Sequence, residues 1–273
     1  MPLSPSDADA ALAFARRLAD AARAAIAPHF RNLGAVQGKS SDKVERGFDP
    51  VTAADLAAER AMRDLIEAER LGDGIDGEEF GHTPSDNGYR WLLDPVDGTR
   101  AFVAGLPVWT TLIAYVGPGD EPLIGVIDQP TLRERYLGWP GGAALETGAG
   151  RAALSVSPCE DLREATIATT DPFILTPSEQ GAWTHLRSTA RIVRYGLDAY
   201  GYARLAGGTI DLVAETGLAP HDVGALIPVV RGAGGFACDW RGGPAKATGG
   251  QIVCACSEGV LDQALISLRR SAI

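Results

Sequence analysis

Apolar and small residues recur every three or four positions through "SDADAALAFARRLADAARAAIAPHF" (6–30) and "TAADLAAERAMRDLIEAERLG" (52–72). This is the period of a helix with one buried face. Ser6 and Thr52 stand where N-caps belong, Asp9 falls in the first turn of the first helix, and Gly72 ends the second. The stretch between them, 31–51, is polar and broken by Gly34, Gly38, Gly47 and Pro50, which predicts a long loop, in part a hairpin. The period then shortens. "YRWLLD", "VWTTLIAYV", "PLIGVIDQP" and "RERYLGW" are short β-like runs separated by turn residues, as in an antiparallel sheet. Past residue 150 the rhythm changes again. "EATIATT", "ARIVRYG", "IDLVAET", "GFACDW" and "QIVCACS" alternate with helical segments near 176–189, 198–207, 220–233 and 258–271. Such alternation predicts a layered α/β half. The expected organisation is an α+β domain over 1–150 packed on an α/β domain over 151–273.

Composition narrows the function without choosing it. At 273 residues and 45% hydrophobic content, the chain can bury one large core or two modest ones. A net charge of −10 and a pI near 4.9 argue against a sequence-independent grip on nucleic acid, which needs a basic stripe. No apolar run approaches the length of a membrane span and no signal pattern opens the chain, so the expected compartment is the cytoplasm, with no membrane partner. Cys159, Cys238, Cys254 and Cys256 form no C-x-x-C pair and read as small buried hydrophobes in a reducing compartment.

Several motifs fail on inspection. "GAVQGKS" (34–40) has one residue too few for a phosphate loop and follows no strand. "GAGGFA" (232–237) lies after a helix and before a strand, the reverse of a dinucleotide fold. There is no G-x-S-x-G elbow, and His29, His82, His185 and His221 lack zinc spacing. Chemistry in this chain must rest on carboxylates.

The carboxylates fall in a pattern. "LLDPVDGTRAF" (92–102) ends an apolar run with Asp94 and Asp97 around a proline, followed by Gly98 and Thr99. Taken alone it reads as a turn, with Asp97 or Thr99 capping the next helix. "DGEEF" (76–80) places Glu78 and Glu79 in a glycine-rich loop just before the strand that delivers Asp94. "FDPVTAADLAAERAM" (48–62) puts Asp55 in a first helical turn, where it also suits a capping box with Thr52. "GLAPHDVGALIPVVRGAGG" (217–235) puts Asp222 at another helix start, where an acid complements the dipole.

Taken together, "DPVTAAD", "GEEFG", "WLLDPVDGTRAF" and "APHDVGALIPVVRGAGG" resemble the inositol monophosphatase family of magnesium-dependent phosphatases, in order and spacing from about residue 48 to 257. The resemblance implies a layered α-β-α-β-α sandwich, with an antiparallel sheet in the N-terminal half and a mixed sheet in the C-terminal half. It implies that Glu78, Asp94 and the Val96 carbonyl hold one Mg²⁺, and that Asp94, Asp97 and Asp222 hold a second. Asp55 and Thr99 would orient the attacking water, with Asp55 also touching a third ion through water. Asp97 and the Gly98 and Thr99 amides would receive the phosphate, and Glu79 would stand behind Glu78. A homodimer is implied as well. The residue chemistry agrees: all-oxygen ligands suit a hard cation, and two such ions favour in-line phosphoryl transfer to water. Gly98 lets the backbone approach closely, and Pro95 stiffens the bend between the two aspartates. Glu78, Asp94, Asp97 and Asp222 would repel a phosphate dianion; two divalent cations cancel that charge and a third reverses it.

The family acts on inositol phosphates, histidinol phosphate, 3′-phosphonucleotides and sugar bisphosphates. "GTRAFVAGLPVWTTLIAY" and "YGLDAYGYARLAGGTIDLVAETGLAPHD" are similar to the histidinol-phosphatase branch. Asp198 and Glu215 beside the leaving group would favour a substrate bearing an ammonium. Asp198 reads equally as the cap of the helix that begins there. Trp91 and Trp109 read as core, His221 as surface, and Arg100 has no assigned role. Inositol monophosphate or a nucleotide 3′-phosphate is the alternative substrate. A regulatory binding protein that keeps the fold is the alternative of another class. The loop 34–50 would serve as a lid with Lys39 or Lys43 near the phosphate, or simply be mobile.

Overall fold

In the computed structural model, residues 3–32, 34, 36–38 and 50–273 are described. Helix α1 (Pro5–Ile26) starts behind Ser4 rather than Ser6: the Ser4 hydroxyl accepts the Asp7 amide and Pro5 fills the first helical position, where no N–H is missed. It ends before Pro28, which has no N–H to extend the ladder. Strands β1 (Gln37–Gly38) and β2 (Pro50–Val51) pair antiparallel, so the expected hairpin has its base. The lid proposed for this loop, with Lys39 and Lys43, lies outside the described residues. Helix α2 (Ala53–Glu69) is capped by Thr52 and Asp55 as a capping box.

The first half builds an eight-stranded sheet from β3 (Gly74–Gly77), β4 (Gly81–Thr83), β5 (Arg90–Asp97), β6 (Thr110–Gly117), β7 (Glu121–Gln129), β8 (Glu134–Trp139), β9 (Gly142–Thr147) and β10 (Gly150–Ala153), in the order β10-β9-β8-β7-β6-β5-β3-β4. A short helix, α3 (Thr99–Val103), interrupts it. The sheet is antiparallel except at one place. Strand β3, expected to be loop, pairs parallel with β5. Its sequence, Gly-Ile-Asp-Gly, carries too few apolar residues to show a period.

The second half contains β11 (Thr166–Thr169), α4 (Pro177–Thr189), β12 (Ile192–Tyr195), α5 (Ala199–Ala206), β13 (Leu212–Leu218), α6 (Pro220–Gly224), α7 (Leu226–Gly232), β14 (Phe236–Cys238), β15 (Gly250–Ala255) and α8 (Glu258–Leu268). The five strands form a mixed sheet, β12-β11-β13-β15-β14, parallel on both sides of β11 and antiparallel elsewhere. The single helix expected over 220–233 is two. Pro228 cannot donate to the Gly224 carbonyl, and the ladder breaks at Ala225.

Five layers result. Helices α1 and α2 cover one face of the large sheet; α5, α6 and α7 fill the space between the sheets; α4 and α8 cover the far face of the small sheet. The middle layer is continuous with both halves, since Leu92 and Leu112 share one core with Val213, Val223 and Ile227. Contact there is backbone on backbone. A Cβ at Gly125 would stand 2.2 Å from the Ala225 carbonyl oxygen, and one at Gly138 would stand 2.3 Å from the Pro228 carbonyl carbon. Trp91 and Trp109 are buried in the outer core, as expected. No helix among the described residues is long and apolar enough to cross a membrane.

Candidate active site

Strand geometry explains how Asp94 and Asp97 come to face one cavity. Residues three apart on a regular strand point to opposite faces. Here β5 carries a bulge: Asp94 pairs with Leu112 and Asp97 with Thr110, so two residues oppose the single Thr111. Pro95 sits in the bulge, where its missing N–H leaves no gap in the ladder, and its carbonyl accepts the Thr111 hydroxyl at 2.8 Å. The extra residue turns both carboxylates toward the same space. Gly98 follows in the left-handed region at φ 80°, a conformation that suits glycine.

The parallel strand β3 delivers the glutamates. Gly77 pairs with Leu93, and the Glu78 amide donates to the Leu93 carbonyl at 3.1 Å, so Glu78 lies beside Asp94. Glu78, Glu79 and Asp55 each offer an oxygen within 4.8 Å of the others. Asp222 enters from the C-terminal half on α6, one oxygen accepting the Ala219 amide at 2.6 Å. His221, half-buried beside it, stands 3.5 Å from the other oxygen.

Glu78, Asp94, Asp97 and Asp222 meet at one cavity of about 280 Å³, whose lining also includes Val96, Gly98, Thr99, Arg100, Asp198 and Glu215. Asp55 lies outside that lining and is fully buried, joined to it through Glu78. The capping-box reading of Asp55 accounts for only one of its oxygens. Oδ2 accepts the Thr52 amide at 2.9 Å and the Thr52 hydroxyl at 2.6 Å, while Oδ1 has no hydrogen-bond partner among the described residues. Asp94 Oδ1 is likewise buried and unpartnered among them. Buried carboxylate oxygens without donors are costly, and a hard divalent cation is the group that fits them.

Electrostatics point the same way. Burial, then the nearby Glu78, Asp97 and Asp222, pushes the Asp94 carboxyl well above its ordinary range. Burial and Asp198 do the same to Asp97, opposed by the Ala199 amide. Burial raises Asp55, opposed by Thr52. So many acids in so little water favour protons unless another positive charge arrives.

Asp198 does not cap its helix. It sits at the N-cap of α5 with φ 48° and ψ −143°, and its side chain makes no capping hydrogen bond. The cap comes from Asp97, whose Oδ2 accepts the Ala199 amide at 2.7 Å. The Asp198 carboxylate instead leans over Gly98, where an added Cβ would approach its Oδ2 to 2.9 Å. Burial raises Asp198 to about 6, against the pull of Arg100. Glu215, on β13 before a bulge, is raised to about 7, chiefly by burial. It accepts the Thr170 amide at 2.8 Å, the Thr170 hydroxyl and the Tyr202 hydroxyl.

The rest of the wall is absent from the sequence reading: Thr169, Thr170, Asp171, Ile174, Leu175, Thr216, Gly217 and Leu218. The available signal was their place at the carboxyl ends of β11 and β13, where α/β sheets hold their ligands.

Known proteins resemble this chain in sequence and fold. The profile of the Inositol monophosphatase family matches residues 7–273. The bifunctional phosphatase IMPL2, chloroplastic, of Arabidopsis thaliana is 38% identical over 97% of this chain and 77% of its own length. The histidinol-phosphatase of Chlorobaculum parvum is 36% identical over 72% of this chain and 75% of its own. The solved structure of an inositol monophosphatase from Zymomonas mobilis superposes with a TM-score of 0.84 at 35% identity, covering 97% of this chain and 99% of that one.

Proposed function

The chain belongs to the inositol monophosphatase family, a family of metal-dependent phosphatases, and on that footing we propose that it hydrolyses a small phosphate ester whose alcohol carries a positive charge, with histidinol phosphate the favoured substrate. The reaction then yields histidinol and phosphate, a step of histidine biosynthesis.

The metal we assign is Mg²⁺, two or three ions per site. Glu78, Asp94 and the Val96 carbonyl would hold one, Asp94, Asp97 and Asp222 would hold the second, and the Asp55 side would border a third. Bound Mg²⁺ supplies the charge that offsets these acids and stabilises the phosphoryl oxygens as the ester bond breaks. The chain's own groups place the reactants. The Thr99 hydroxyl donates to the Val96 carbonyl at 3.0 Å, which leaves its oxygen as an acceptor, and with Asp55 it orients the attacking water. The Gly98 and Thr99 amides receive the phosphate. Residues 1–150 contribute most of the ligands, and 151–273 contribute Asp222 and the wall that meets the alcohol.

The observation that carries the substrate assignment is Asp198. A non-glycine residue held at φ 48° with no capping bond is a strained one, and such strain persists where the surroundings require it. Its carboxylate, with Asp171 and Glu215 in the same lining, gives the leaving-group side of the cavity an excess of acid over Arg100, the one basic residue among the described lining. An ammonium or imidazolium suits that wall; a ring bearing only hydroxyls can donate hydrogen bonds to it but brings no opposite charge. The similarity to a histidinol-phosphatase supports this reading. Inositol monophosphate, supported by the similarity to an inositol monophosphatase, is the second reading, and a 3′-phosphonucleotide the third. We propose a cytoplasmic homodimer as the working form.

A panel assay of phosphate release tests the assignment. With Mg²⁺ present, histidinol phosphate should be turned over with higher kcat/KM than inositol 1-phosphate or a 3′-phosphonucleotide. The reverse order overturns it.

A further inference from the structure

Glu59 and Arg63 lie one turn apart on α2 and are almost wholly buried, at 0% and 4% exposure. Arg63 Nε donates to Glu59 Oε1 at 2.8 Å. At this spacing a sequence shows only an ordinary helical ion pair. Their other contacts leave the helix. Glu59 Oε2 accepts the Glu79 amide at 2.7 Å, and Oε1 accepts the Phe80 amide at 3.1 Å. Arg63 Nη2 donates to the Gly81 carbonyl, and Nη1 donates to the Thr83 hydroxyl at 3.2 Å. Gly77 rests directly on the pair: a Cβ there would stand 1.8 Å from Glu59 Oε1 and 2.8 Å from Arg63 Nη2. Outside, the Phe80 ring lies 4.3 Å beneath the Arg60 guanidinium.

The backbone from Gly77 to Thr83 is therefore laid on two buried charges, and it is the segment that carries Glu78 and Glu79. Asp55 stands one helical turn before Glu59 on the same helix, and its oxygen lies within 4.8 Å of theirs. A buried ion pair is weak evidence for stability, because desolvation offsets much of its attraction. Bound to neighbouring backbone, it is well suited to hold a geometry. Three acids gathered this closely repel one another, and the turn would relax outward unless its amides were anchored.

We propose that Glu59, backed by Arg63, is a positioning residue that fixes the Glu78–Glu79 turn against Asp55 and so sets the divalent-cation affinity of the site. The proposal rests on the metal-dependent reading above. Groups that orient metal ligands without touching the ion commonly change affinity about 10–100-fold when altered.

Glu59→Gln tests it. The carboxamide keeps the shape but turns an NH₂ either toward the Glu79 amide or toward Arg63 and the Phe80 amide, donor against donor. Mg²⁺ alone should bind the purified variant at least tenfold more weakly by titration calorimetry, and the Mg²⁺ concentration for half-maximal phosphate release should rise in parallel. At saturating Mg²⁺, kcat should stay within about threefold of the unaltered enzyme. An unchanged Mg²⁺ affinity in a folded variant overturns the proposal. If Glu59→Gln does not fold, Arg63→Lys reads the same property. It keeps the charge beside Glu59 and drops the paired contacts to the turn, so at least threefold weaker Mg²⁺ binding supports the anchor and unchanged binding overturns it. Absence of Mg²⁺ binding by the unaltered protein would instead remove the metal-dependent reading itself.

Discussion

The carboxylate of Asp97 accepts the backbone amide of Ala199 at 2.7 Å, joining the bulge of β5 to the first turn of α5 across 102 residues of chain. One oxygen thus caps a helix of the second half while the side chain lines the cavity that both halves share. The same oxygen receives the Thr110 hydroxyl at 3.3 Å. Site assembly and the joining of the two halves share one group.

Asp97→Asn separates these tasks. The amide oxygen can still accept from Ala199, so stability should fall by less than about 2 kcal/mol, the upper range for a lost cap. Phosphate release should fall at least roughly 10²-fold, as when one charge-stabilising group is removed from a site. Activity within tenfold of the unaltered enzyme would show that Asp97 acts only as a cap. In cells, a phenotype that survives the change would favour a binding protein over an enzyme.

Asp198→Gly should stabilise the protein and blunt its selectivity. Glycine adopts φ 48° and ψ −143° readily, and removing such strain is worth about 1–3 kcal/mol. The loss of one acid also relieves Asp97. The kcat/KM for histidinol phosphate should drop at least about tenfold while that for inositol 1-phosphate stays level, the mark of lost discrimination rather than lost chemistry. Thermal melts and the two kinetic assays decide; an equal fall for both substrates would place Asp198 with the reacting groups.

The raised acids predict how stability follows pH. Asp198 at about 6 and Glu215 at about 7 both lie above their unfolded values. Folding favours their protonated forms, so their contribution is complete below about pH 4 and is lost as pH rises through the folded values. Without metal, these groups should lower the melting temperature between about pH 5 and 8. Mg²⁺ needs its ligands Asp94 and Asp97 ionised, and both carboxyls are raised well above their ordinary range, so its binding releases protons and strengthens as pH rises. The rise in melting temperature on adding Mg²⁺ should therefore be larger at about pH 7.5 than at about pH 5.5. Differential scanning fluorimetry at both values checks it, and a rise that shrinks with pH contradicts the assignment.

Chelation should abolish anion binding. With EDTA in excess the acids around the cavity face a phosphate dianion with Arg100 as the one basic residue among the described lining. Titration calorimetry with inorganic phosphate should then give no signal, and added Mg²⁺ should restore it. Undiminished binding in EDTA would mean that the chain's own groups hold the anion.

Legibility in the sequence followed the physics of each element. Helices α1 and α2 repeat an apolar face over many turns, and their existence was plain; their first residues were not, since Ser4 and Ser6 offer equal hydroxyls and only Pro5 tells them apart. Strand β3 was read as loop because two of its four residues are glycine. Those glycines reflect what the strand lies on, the Glu59–Arg63 pair, and nothing local announces that. Glu59 itself was missed because an acid four residues before an arginine looks like surface chemistry, whereas here both are interior. Asp94, Asp97 and Asp222 stood out through motif and order. Asp198 offered two equal readings, which only backbone angles and the partner of the Ala199 amide could part.

Gly125 and Gly138 let the middle helices touch the large sheet without side chains between them. The separation of Asp222 from Asp94 is therefore gauged by main-chain thickness, a dimension that cannot be adjusted by exchanging one residue for another. The outer wall, from Thr169 to Leu175, hangs on a strand end and a loop and carries no such constraint. Descendants of this chain can retailor the mouth for a new alcohol while the floor keeps its calibration.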